Sequence, residues 1–158
     1  MIHVCFVCLG NICRSPTAHG VMEALVRKAG LEGTIAVDSA GTAGYHVGEL
    51  PDRRTRATAK ERGIELDSRA RQFQRDDFAR FDYVVAMDRQ NREALRRLGG
   101  QDADGKVTLL RSFENSGAHE ADVPDPYYGG EEGFIQVFEI CMAGCSALLE
   151  QIRREHRL

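Results

Sequence analysis

The 158-residue chain reads as a doubly wound α/β sandwich. Short runs that are apolar almost throughout alternate with segments whose apolar residues recur every three to four positions. Strands apolar on both faces belong in a parallel sheet covered by helices on each side. Such sheets bind ligands beyond the carboxyl ends of their strands. There the first run gives way to Cys8-Leu9-Gly10-Asn11-Ile12-Cys13-Arg14-Ser15, followed by Pro16.

In chain order, residues 2–7 (IHVCFV) form the first strand, with Cys5 inside it as packing. Ser15-Pro16 is a helix opening, serine at the cap and proline at the first helical position. Ala18, Val21, Met22, Leu25, Val26 and Ala29 then keep helical spacing until Gly30. A second strand is expected over 35–40, then a loop over 41–48 carrying Tyr45 and His46. Pro51-Asp52 opens a helix through Arg62, closed by Gly63. The polar stretch 68–81 holds at most a short helix near 76–80. Residues 83–87 (YVVAM) make a third strand, Asp88 caps a helix to Leu98, and 107–110 make a short fourth strand. Residues 112–133, with PDPYYGG inside, are too rich in turn formers for either regular element. The final helix carries one apolar stripe through Phe134, Val137, Phe138, Cys141, Met142, Cys145, Leu148, Leu149 and Ile152. With no repeats and no linker composition, a single domain over 1–158 is expected.

Apolar residues make up 42% and charged residues 28%, an ordinary globular balance. The net charge of −3 gives no basis for nucleic acid or anionic membrane as a partner. No uninterrupted apolar run approaches a membrane span, so no membrane insertion is expected, and Met1-Ile2-His3 does not begin a secretion signal. A cytoplasmic, reducing setting is therefore expected, with the five cysteines as free thiols.

The loop after the first strand is a recipe for holding phosphate. Its N–H groups can converge on one point, and the following helix adds its positive end. Arg14 offers a planar fork of donors to phosphate oxygens. A thiol in such an electropositive cup ionises readily, so Cys8 reads as a nucleophile aimed at phosphorus, with the amides over 9–15 as the phosphate cradle. Asp125, between Pro124 and Pro126, is either a turn former or the general acid that an aryloxide leaving group needs. In the second case Tyr127 and Tyr128 would flank a planar aryl substrate, with Tyr45 as the opposite wall. Cys5, Cys8 and Cys13 lack the paired spacing of a zinc site, so no metal is expected. Cys13 is either a small packing residue or a redox partner for Cys8. The histidines (His3, His19, His46, His119, His156) are scattered and supply no base for a Cys/His acyl hydrolase.

Four stretches together carry a resemblance. VCLGNICRSP, SAGTAGYHVGELPD, ARQ with DDFARFDYVVAMDRQN, and DPYYGG resemble the low-molecular-weight protein tyrosine phosphatases, and the Tyr45 loop looks more like the bacterial members. The resemblance implies a four-stranded parallel sheet with helices on both faces. It also implies hydrolysis of phosphotyrosine through a phosphocysteine intermediate, without metal or cofactor. Carried over by position, Cys8 matches the nucleophile, Arg14 the phosphate clamp and Asp125 the acid. Asn11 and Ser15 match loop-shaping residues that stabilise the thiolate, Ser39 a supporting serine, and Cys13 the redox partner of Cys8. The implied partners are phosphotyrosine proteins, such as a bacterial tyrosine kinase or a host protein, with inorganic phosphate as product. Many members carry a histidine just before ARQ; here Ser68-Arg69 precede Ala70, so the bonding beneath Asn11 does not carry over. Tyr45 takes a spot often held by tryptophan. Related arsenate reductases need cysteines after the third strand, and none lies between Cys13 and Cys141. Phosphoarginine phosphatases of the family have threonine where Ile12 stands, and apolar Ile12 fits a wall beside an aromatic ring. A phosphate-binding module without turnover would need neither the nucleophile nor the acid.

Overall fold

The computed structural model describes residues 1–114 and 120–158; His119 lies outside the described residues. Four parallel strands, β1 (Ile2–Cys8), β2 (Ile35–Gly41), β3 (Tyr83–Ala86) and β4 (Val107–Leu109), line up in the order β2-β1-β3-β4. Chain order reverses at β1, so the loop leaving Cys8 lies in the crevice where such sheets bind ligands. The helices are α1 (Arg14–Lys28), α2 (Arg53–Glu61), α3 (Asp77–Arg80), α4 (Arg89–Gly99) and α5 (Glu131–His156). Two 3₁₀ turns, Gly100–Ala103 and Leu110–Phe113, were not expected, and the second takes Leu110 out of the fourth strand.

Side chains alternate across β1, and the core follows that alternation. Val4, Phe6 and Cys8 join α1 and α5 residues such as Val21, Met22, Cys145 and Leu148 in one buried cluster. Cys5 and Val7 join Phe78, Val84, Leu95 and Leu109 in the cluster on the other face. Parity thus puts Cys8 on the α1 side, within reach of that helix's first turn. α5 is long and apolar enough to cross a membrane by length and composition alone. Its apolar stripe is nonetheless spent on the core, and its thiols reach the backbone of α1. Cys141 Sγ donates to the Arg14 carbonyl (3.9 Å) and Cys145 Sγ to that of Ala18 (3.5 Å).

Two expected caps form. Asp52 accepts from the Arg54 N–H at 2.8 Å, and Asp88 from the Asn91 N–H at 2.7 Å. The expected serine cap does not form. α1 starts two residues earlier, at Arg14, with Cys13 at its N-cap, and Ser15 turns its hydroxyl to the Cys8 sulfur instead. Thr17 closes that first turn by donating to the Cys13 carbonyl at 2.8 Å. Gly41, at the end of β2, lies so close to the loop that a Cβ there would stand 2.7 Å from the Leu9 carbonyl oxygen.

Candidate active site

The loop from Cys8 to Arg14 is a cup because its carbonyls are drawn outward. Cys8 and Leu9 carbonyls accept from the N–H groups of Thr42 and Ala43, and that of Ile12 accepts from Asp52. The N–H groups of Leu9, Gly10, Ile12 and Cys13 have no protein acceptor among the described residues. The Asn11 N–H donates to Cys8 Sγ at 3.3 Å. Asn11 bends the loop with a left-handed φ of 58°, a conformation asparagine tolerates better than most residues. Its buried side chain is fully used: Oδ1 accepts from the Arg71 N–H at 3.1 Å, and Nδ2 donates to Ser15 Oγ (2.8 Å) and Ser39 Oγ (3.1 Å). Ser15 Oγ lies 3.0 Å from Cys8 Sγ. The sequence-expected supports Asn11, Ser15 and Ser39 therefore lie together beneath the sulfur.

Arg14 projects from the first turn of α1 with its side chain only 4% exposed. Nη1 donates to Asp88 Oδ2 at 2.6 Å and to the Val123 carbonyl at 3.1 Å, while Nη2 stands 3.6 Å from Asp125 Oδ2. Burial disfavours the cation, but Cys8, Asp88 and Asp125 outweigh it, and the Arg14 pKa is raised. Sequence reading saw Asp88 only as a helix cap; its second oxygen holds the guanidinium. Asp88→Asn keeps an oxygen for the cap but turns an amide donor on Arg14. Its KM for an aryl phosphate is expected to rise about ten-fold and its Tm to fall, since a charge-assisted hydrogen bond is lost and the buried guanidinium keeps its charge. An unchanged KM would remove Asp88 from the site.

Above the cup opens a cleft of about 270 Å³ lined by Cys8, Leu9, Gly10, Ile12, Cys13, Arg14, Tyr45, His46, Asp125, Tyr127 and Tyr128. Of the residues singled out from the sequence, the nucleophile, clamp, acid and tyrosine candidates line it, and Asn11, Ser15 and Ser39 do not. Tyr127 is half-buried and meets Tyr128 edge to face at 4.9 Å, whereas Tyr128 is 95% exposed and Tyr45, also exposed, lines the same cleft. Arg54, unrecognised in the sequence, ties this wall to α2. Its Nη2 donates to the Tyr127 carbonyl at 3.0 Å, and its guanidinium lies over Tyr127 and Phe134. His46, also missed, packs against Gly10 and is paired with Glu49 at 2.7 Å. Asp125 is held by the Tyr127 N–H, which donates to Oδ1 at 3.1 Å.

All five thiols are free. Burial pushes the Cys13 thiol up to about 12, and burial also raises Cys5, Cys141 and Cys145. Among the described residues no three His, Cys, Asp or Glu side chains are grouped to hold a metal ion.

The family model for low molecular weight phosphotyrosine protein phosphatases matches residues 3–158. A low molecular weight protein-tyrosine-phosphatase of Streptomyces coelicolor is 49% identical over 154 residues, covering 96% of this chain and 94% of that one. The YfkJ enzyme of that class from Bacillus subtilis is 43% identical over 159 residues and covers 100% of both. Among solved structures, a protein tyrosine phosphatase from Entamoeba histolytica superposes with a TM-score of 0.92 at 39% identity, covering 100% of both chains. On this agreement of sequence, fold and cleft, the chain belongs to the low molecular weight phosphotyrosine protein phosphatase family.

Proposed function

We propose that the enzyme removes phosphate from phosphotyrosine in two phosphoryl transfers, with Cys8, Arg14 and Asp125 as its catalytic residues. One observation carries the reading: a thiol, a buried guanidinium and a carboxyl group open onto a single cleft with aromatic walls. In the first transfer the Cys8 thiolate attacks phosphorus in line with the aryl oxygen. The loop amides and Arg14 hold the three equatorial oxygens as charge moves onto them. Asp125, protonated, gives its proton to the departing phenol oxygen. In the second transfer the same carboxylate takes a proton from water, which attacks the phosphocysteine, returns the thiolate and releases inorganic phosphate.

Ile12, Tyr45, Tyr127 and Tyr128 give the cleft its preference for an aryl ester, and phosphotyrosine proteins are its substrates. Cys13 serves as the redox partner. If peroxide converts Cys8 to a sulfenic acid, the neutral Cys13 thiol condenses with it, forming the disulfide and expelling water.

The test is phosphate release from a phosphotyrosine peptide and a phosphoarginine peptide, each with chelator present. Turnover of the first without added metal is expected. No turnover, a requirement for metal, or preference for phosphoarginine would overturn the proposal.

A further inference from the structure

Beneath the loop the hydrogen bonds do not end at Ser39. His19, on the next turn of α1, places Nδ1 2.9 Å from Ser39 Oγ and Nε2 3.4 Å from Glu23 Oε1. Its side chain is 12% exposed, at the edge of a small cleft shared with Glu65, Asp67 and Ser68.

The direction of the hydrogens on the Asn11 side chain follows from one backbone donor. The Arg71 N–H points at the Asn11 side chain, so the atom it meets is the carbonyl oxygen Oδ1. The amide nitrogen must then face the two hydroxyls, and it gives one hydrogen to Ser15 and one to Ser39. Ser15, having accepted, turns its own hydrogen to the Cys8 sulfur at 3.0 Å, the nearer of its two acceptors, with the Ala40 carbonyl at 3.4 Å. Ser39, having accepted, has its own hydrogen for His19 Nδ1. Taking that hydrogen requires a bare Nδ1, the tautomer in which Nε2 carries the ring hydrogen toward Glu23. Glu23, His19, Ser39, Asn11, Ser15 and Cys8 thus form one connected file in which hydrogens are donated outward from Asn11, through Ser15 to the sulfur and through Ser39 toward His19.

We propose that His19 is a positioning residue for the reaction, acting through Ser39 and Asn11 on Cys8; the proposal rests on Cys8 as the nucleophile. Asn11 holds its left-handed backbone only while all three of its side-chain bonds pull the same way. Remove the acceptor at His19 and the Ser39 hydroxyl is free to turn toward the Asn11 amide, donor against donor. The Asn11 N–H and the Ser15 hydroxyl, the two groups bonded to Cys8 Sγ, then lose their fixed aim. A charged ring has the same effect, because Nδ1 becomes a donor. The groups that bear on the ring's charge are carboxylates: Glu23 from α1, Glu65 and Asp67 from across the cleft, and Asp38 next to Ser39.

Two variants separate bonding from packing. His19→Leu keeps the bulk but has no acceptor; His19→Asn keeps an acceptor oxygen close to where Nδ1 stands. Two readouts are taken: turnover of an aryl phosphate, and the rate at which iodoacetamide alkylates Cys8, with Cys8→Ser as the blank. H19L is expected to lower kcat about ten-fold and to slow Cys8 alkylation in parallel, at little change in KM, the size expected for one lost buried hydrogen bond. H19N is expected to restore both to within about three-fold. Wild-type rates in H19L, or an H19N as impaired as H19L, would overturn the proposal. Should the wild-type protein turn over no phosphotyrosine, the functional reading fails by itself, and the alkylation rates still decide the role of His19.

Discussion

Serine in place of Cys8 is expected to abolish turnover and leave phosphate binding intact. The two side chains are nearly the same size, so the cup and its hydrogen bonds from Asn11 and Ser15 persist. What disappears is the nucleophile. A serine hydroxyl stays protonated at neutral pH, and among the cleft-lining residues no group is bonded to this position as a general base. Loss of a nucleophile costs about 10⁴-fold or more in kcat where the rest of a site stays in place. Inorganic phosphate should bind as tightly as before or tighter, because the anionic sulfur no longer repels it and Arg14 remains buried between Asp88 and the cup. Steady-state rates with an aryl phosphate and calorimetric titration with phosphate measure the two halves. Residual turnover near the wild-type rate would place the nucleophile elsewhere. Loss of phosphate binding would show that the loop is not the cradle.

How much of this was legible in the sequence follows from the range of each interaction. Strand runs and the α5 stripe are local patterns, and they give the sheet and its helices to within two or three residues, the largest miss being α5, which begins at Glu131 inside the stretch expected to be irregular. The Cys8 to Ser15 loop is local too, and its residues fall where their spacing puts them. Ser15 was misread for a physical reason. A serine before a proline is a good cap by local rules, but here its hydroxyl is claimed by a sulfur seven residues earlier, brought over by the turn of the loop. Asp88 carries a second duty because β3 ends beside β1, and nothing within 74 residues of chain signals its pairing with Arg14. His19 is the instructive case. It lines one small cleft with Ser68, and the ring that meets Ser39 comes from α1. A scattered histidine in a sequence thus becomes part of the loop's foundation once the fold is known. His46 gave no local signal either, and it reaches the cleft only because the loop after β2 folds back over Gly10.

Asparagine at Asp125 should slow phosphotyrosine hydrolysis by about 10²- to 10³-fold, the usual worth of a general acid, and the loss should depend on the leaving group. The substitution is conservative in shape. The turn in which Oδ1 accepts the Tyr127 N–H survives, and so do the prolines on either side. The carboxyl group is 46% exposed and 3.6 Å from Arg14 Nη2, so it is reachable by water and loosely paired. Those are the conditions for a group that must hold a proton in one step and accept one in the next. Without the acid, a tyrosine oxygen, whose phenol has a pKa of about 10, departs as a poor anion, and formation of the phosphoenzyme becomes limiting. An activated aryl ester, such as a nitrophenyl phosphate, leaves without help. Phosphoenzyme then forms at nearly the wild-type rate, accumulates because its hydrolysis lacks a base, and yields a burst of nitrophenol followed by slow turnover. The measurement is kcat against leaving-group pKa for a series of aryl phosphates, with rapid-mixing burst amplitudes for the fastest. A steeper dependence in D125N than in the wild type, with a burst near one equivalent per Cys8, is the expected pair of results. An unchanged slope would take the proton from another group. The carboxyl group would then only restrain Arg14, and D125N would alter KM in place of kcat.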